Sequence, residues 1–110
     1  MNSSLGEFEE LVLLAVASLA DEAYAVSIQQ LIESEAGRSA SMGAVYSSLE
    51  RLEEKGFLRS RLGSVTHERG GRRKRFYRIT GSGQAAMIQA RESREKLWKG
   101  INLRPETRYS

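Results

Sequence analysis

Apolar residues in the first part of the chain recur every three or four positions. Leu5, Phe8, Leu11, Val12, Ala15, Val16 and Leu19 keep that spacing, which sets them along one side of a helix. From Leu11 onward most of the circumference is apolar, so this helix is expected to be buried on more than one side. Ser4 and Glu7 stand at capping-box spacing ahead of it: the Ser4 hydroxyl would accept from the Glu7 amide while Glu7 reaches back. After a short break, "DEAYAVSIQQLIESEAG" predicts a second helix with Val26, Ile28, Leu31 and Ile32 inward and Gly37 as its stop. "SASMGAVYSSLERLEEKG" predicts a third, with Val45, Leu49 and Leu52 as the core stripe and Gly56 as the stop.

Beyond Gly56 the period changes from helical to alternating. Leu58, Ser60 and Leu62 alternate with Arg59 and Arg61, and Tyr77 and Ile79 alternate with Phe76 and Arg78, with Gly70 and Gly71 between the runs. That pattern reads as a β-hairpin with a basic outer face and tip. A fourth helix begins at Thr80, with Met87, Ala90, Leu97 and Ile101 on one side. The order is three helices, a basic hairpin and a helix, which predicts a mainly α (α+β) winged helix-turn-helix. Residues 1–80 would form the DNA-binding domain, 81–101 a dimerisation helix and 102–110 a flexible tail.

Charge sharpens this picture. The chain has 110 residues, 17 Lys or Arg against 14 Asp or Glu, and no cysteine. Residues 1–37 carry seven acidic residues and no Lys or Arg, whereas residues 59–78 carry eight basic residues against Glu68 alone. Positive charge focused on one element suits a polyanion, with nucleic acid first and an anionic membrane surface second. The absence of cysteine excludes disulfides and thiolate metal sites. The longest apolar run, Leu11 to Ala17, is too short to span a bilayer, and the acidic start is unlike a signal peptide. A cytoplasmic protein without membrane attachment is expected.

On the third helix, the side away from the core stripe would show Ala44, Ser47, Ser48 and Arg51. Small leading residues would let the backbone approach base edges. Ser39, Ser41 and Gly43 at the helix start offer hydroxyls and free amides to phosphate. Tyr46 would give its hydroxyl to phosphate or pack on sugar, or else lie half-buried in the core. Arg51, two turns in, suits phosphate better than a base. On the hairpin, Arg72, Arg73, Lys74 and Arg75 can reach several phosphates or enter the minor groove.

Other features carry less. "GSGQAA", residues 81–86, matches a loose dinucleotide-binding pattern, but no second parallel strand with its acidic residue follows. His67 is the only histidine and has no carboxylate pair nearby; with no base to activate a serine, neither an enzyme nor a cofactor or metal is expected. Leu5, Phe8, Met87, Ala90, Arg94, Leu97, Trp98 and Ile101 are candidates for a two-fold interface. Trp98, the only tryptophan, also fits a place over the monomer core or in an effector pocket.

With these segments placed, the chain resembles the PadR family of bacterial transcriptional regulators, in its short form with one C-terminal helix. "GAVYSSLERLEEKGFL" is similar to the family's recognition-helix segment, and "GGRRKRFYRITGSG" to its wing. Gly43, Ala44 and Tyr46 match the start of the reading helix, and Arg72, Arg73 and Lys74 match the wing. Ala25 stands where members commonly carry glycine after the tyrosine. The resemblance implies a homodimer that represses by binding an inverted-repeat, double-stranded operator and releases it when a small, often aromatic, ligand binds. Two rivals from other classes are a winged-helix protein-interaction module and a nonspecific nucleic-acid binder.

Overall fold

The computed structural model describes residues 5–64 and 73–103. Helices α1 (Glu7–Leu19), α2 (Ala25–Ala36) and α3 (Met42–Glu54) precede strands β1 (Leu58–Leu62) and β2 (Arg75–Ile79), and α4 (Gly81–Lys99) closes the order. The strands pair antiparallel, with Leu58 opposite Ile79 and Leu62 opposite Arg75. This is the winged helix-turn-helix expected from the alternation of periods.

One core joins α1, α2, α3 and the root of the hairpin. Val12, Leu13 and Val16 of α1 meet Ile28 and Ile32 of α2, Val45, Leu49 and Leu52 of α3, and Leu58 and Tyr77 of the strands. Gly37 and Gly56, at φ of 61° and 81°, turn the chain after α2 and α3, a conformation that side chains with a Cβ resist. A single 3-10 turn, Ala20–Glu22, links α1 to α2. Just past it the Ala23 carbonyl accepts from the Tyr77 amide at 2.8 Å, so this link lies along the β2 edge.

Three local expectations change. The cap of α1 falls two residues later than the spacing of Ser4 and Glu7 implied: Gly6 is the N-cap, and its amide donates to Glu9 Oε1 at 2.9 Å. Glu7, then the first helical residue, turns outward to Arg38 at 3.1 Å, and Ser4 lies outside the described residues. Val26 is exposed, because Ala25, Ile28 and Ile32 form the inward stripe of α2. Ser48, expected on the outer side of α3, is fully buried, because positions 45, 48, 49 and 52 together make the stripe that faces α1.

Helix α4 is capped by Thr80, whose Oγ1 accepts from the Gly83 amide at 3.0 Å while donating to the Gly56 carbonyl at 2.7 Å. Its first half lies on the core through Ala86 and Met87, whereas every residue from Arg91 to Leu103 is exposed. None of the described helices is long and apolar enough to cross a membrane.

Candidate nucleic-acid interface

The turn into α3 is held at both ends. Gln29 Nε2 donates to the Ala40 carbonyl at 2.7 Å, and Ser41 caps α3 by accepting from the Ala44 amide at 3.0 Å. With Val45, Leu49 and Leu52 buried, the opposite side shows Gly43, Ala44, Tyr46 and Ser47 to solvent, beside Ser39 and Ser41 in the turn. Tyr46 is 55% exposed, so its ring is a surface feature and not half-buried core. The face is thus low at its leading end, with one aromatic and several hydroxyls at its edge.

Arg51 is placed differently from these residues. Its Nε donates to Glu9 Oε2 at 3.0 Å and its Nη2 to Ser48 Oγ at 3.3 Å, while Lys55 Nζ reaches Glu9 Oε1 at 2.8 Å. Glu9 itself is 6% exposed. Burial pushes its carboxyl upward, but the Gly6 amide and the Lys55 and Arg51 charges outweigh that and hold it down at about 2. A carboxylate that stays ionised at neutral pH therefore binds the last turns of α3 to the start of α1. Sequence reasoning counted Glu9 only among the seven acids of residues 1–37, although a signal was present: it lies four residues after Leu5 and three before Val12, on the buried stripe.

The wing is organised from its root. Arg75 Nη1 donates to Ser60 Oγ at 3.0 Å, and that hydroxyl donates to Glu53 Oε2 at 2.7 Å, so both strands are tied to the end of α3. Lys74 Nζ sits 4.3 Å from the centre of the Tyr24 ring, which meets Phe76 edge-on at 5.6 Å. Arg73, exposed, makes no ion pair with a described residue. Arg72, His67, Gly70 and Gly71 fall outside the described residues. Among the described residues, no group of three His, Asp or Glu could hold a metal ion.

A shallow helix face followed by a basic hairpin is a geometry for duplex DNA, and comparison with known proteins agrees. The model of the transcriptional regulator PadR-like family matches residues 13–89. The chain belongs to that family. Its structure is similar to that of a transcriptional regulator from Clostridium thermocellum at 25% identity, covering 83% of this chain and 85% of that one, with a TM-score of 0.69. A PadR-like transcription factor from Bacteroides fragilis gives 24% identity, 84% of each chain and a TM-score of 0.70. Bacillus subtilis PadR, solved in complex with operator DNA, gives 20% identity and a TM-score of 0.64; the match covers 94% of this chain and 53% of that one. No curated protein matches the chain. A PadR-like fold makes this protein a DNA-binding transcriptional regulator.

In this PadR-like chain the residues expected at an interface divide into two groups. Leu5, Phe8 and Met87 pack partly on the core, Ala90 is half-buried, and Arg94 donates to Glu10 at 2.6 Å within the same chain. Leu97, Trp98 and Ile101 are 73%, 60% and 49% exposed. Trp98 therefore does not cover the monomer core.

Proposed function

We propose that the protein is a homodimeric repressor that binds an inverted-repeat operator, with α3 in the major groove and the wing along the neighbouring backbone. The observation that carries this reading is the outward face of α3. Gly43, Ala44 and Ser47 are small and exposed, which would let the helix backbone approach base edges, and the exposed Tyr46, Ser39 and Ser41 would reach phosphate and sugar. Arg73 and Lys74, joined by Arg72 and Arg75, supply the charge for the adjacent strand. Arg51, already engaged by Glu9, braces α3 and can still offer a free guanidinium nitrogen to phosphate. The Bacillus subtilis regulator that shares this fold was solved on operator DNA, which supports the reading. The cytoplasm is the compartment where that operator would be met.

The test is fluorescence anisotropy on the duplex upstream of the protein's own coding region and on a scrambled duplex of equal length, across a salt series. A preference of at least ~10³ at physiological salt is expected. Four to six neutralised phosphates per binding unit would give a log-log slope of about −4 to −5. Arg73→Ala should weaken both duplexes alike and shallow the slope by about 1, whereas Ser47→Ala should change the preference between operators. Equal binding of both duplexes would make the protein a nonspecific binder instead.

The dimer is proposed to form through the exposed end of α4. Leu97, Trp98 and Ile101 present an apolar surface that a second copy would cover, and two copies would read half-sites about one helical turn apart. Replacing a central interface tryptophan typically costs at least ~2 kcal/mol, so Trp98→Ala should raise the dimer dissociation constant about 30-fold or more in sedimentation equilibrium. Unchanged self-association would remove Trp98 from the interface. A small aromatic effector, if one releases the operator, would stack on Trp98 and quench its fluorescence.

A further inference from the structure

We propose that the outer face of the wing holds a phosphate-binding site separate from the surface of α3. Strand alternation puts Arg59, Arg61, Phe76 and Arg78 on one face of the hairpin. Ser60 and Arg75, on the other face, are the residues tied to Glu53 of α3, so the arginine face looks away from α3. The 3-10 turn closes its side, making a cleft of about 340 Å³ lined by Ala20, Asp21 and the strand residues 59–61 and 76–78. That volume is of small-ligand size.

The charges in this cleft are unbalanced in a specific way. Arg59 and Arg78 are directly opposite partners in the antiparallel pair, an arrangement that repels. Asp21 answers only one of them, donating no proton and accepting from Arg78 Nη2 at 2.9 Å in an ion pair exposed on both sides. Arg61 lies with its guanidinium carbon 5.3 Å from the centre of the Phe76 ring, which holds it beside the pair. Phe76 packs on Gly63 in turn: a Cβ at Gly63 would come within 2.7 Å of its ring, so the ring fills the space that glycine leaves. Three arginines, one carboxylate and one aromatic ring therefore line a single cleft. A phosphate group between Arg59 and Arg78 would replace their repulsion by charge-assisted hydrogen bonds from two planar donors. The size of the cleft and its direction, away from α3, fit a free phosphorylated small molecule; a duplex backbone passing the wing has the same chemistry and is the alternative that the test separates.

Thermal melting of the full chain with inorganic pyrophosphate, against sodium chloride at matched ionic strength, tests the site without DNA. The expected result is a saturable rise in melting temperature of several degrees, lost in Arg59→Gln and in Arg78→Gln and kept in Arg91→Gln on the exposed half of α4. Without ligand, Arg59→Gln should melt no lower than the parent, because it removes a like-charge pair; loss of the shift is then not loss of folding. A rise no larger than that in sodium chloride, or one that Arg59→Gln retains, would overturn the proposal. The same titration on the protein bound to duplex separates the sources. If the shift persists and Arg59→Gln leaves duplex affinity unchanged, the site serves a small molecule. If the shift disappears and Arg59→Gln weakens duplex binding about tenfold, the face only extends the wing's contact with the backbone and the proposal of a separate site fails.

Discussion

Gly83→Ala is expected to destabilise the fold by about 3 kcal/mol, the range of a forced overpacking at a site that cannot give way. A Cβ at position 83 would overlap the Phe57 carbonyl oxygen and stand 2.9 Å from Ile79 Cγ1. That carbonyl cannot retreat, because it accepts the Thr80 amide at 3.0 Å, and Thr80 in turn caps α4. The obstruction is thus at the joint where the hairpin, the end of α3 and the start of α4 meet. For a domain of this size the melting midpoint should fall by more than about 10 °C. Gly81→Ala is the control: nothing lies within 4 Å of its would-be Cβ, so its effect should stay within about 0.5 kcal/mol. Similar midpoints for the two variants would show that α4 tolerates displacement. Since α4 carries Trp98, the Gly83 variant should also dimerise less.

Glu9→Gln is expected to destabilise the protein at neutral pH by about 2 kcal/mol, and to do so in a pH-dependent manner. The buried carboxylate is the counter-charge for Arg51 and Lys55, and removing one partner of such a group exposes the others to uncompensated desolvation. Its folded pKa of about 2 lies below the ordinary 4.5. As acid is added the unfolded chain therefore takes up the proton first. The stabilisation is complete above about pH 5 and is lost as the pH falls from 4.5 toward 2. The shift corresponds to at most about 3 kcal/mol, reduced because the Arg51 side chain is half exposed to screening water. Urea unfolding at pH 7, 5, 4 and 3 checks this: the parent should lose more stability over that range than Glu9→Gln, and the two curves should converge. Parallel curves would mean that Glu9 titrates as an ordinary surface acid.

These two positions show how differently parts of the chain could be read. Gly83 was visible as a glycine, in a pattern that suggested a nucleotide loop. Its actual use is close approach between a helix and the chain beneath it, which a pattern of glycines shares with a phosphate loop. Glu9 was visible as a charge on an apolar stripe, yet its meaning came from Arg51 and Lys55, more than forty residues away in sequence. Val26 and Ser48 were misplaced for a related reason. Each lies at the boundary of its helical stripe, where one residue's rotation decides between core and solvent, and only the neighbouring helices set that rotation.

The amino-acid sequence alone determined the order of elements, the stops at Gly37 and Gly56, the start of the fourth helix at Thr80, the α3 stripe of Val45, Leu49 and Leu52, and the gathering of positive charge on the hairpin. All of these are local: they follow from the period of a helix or strand, from backbone conformations open to glycine, and from the count of charges in a segment. The tertiary structure alone decided that Arg51 is bound to Glu9, that Ser48 is core, that Gly83 must remain without a side chain, and that Arg59, Arg61 and Arg78 line one cleft with Asp21. Each depends on which distant segment lies opposite. Periodicity gives the direction in which a side chain points, but burial, pairing and repulsion are properties of what it meets there.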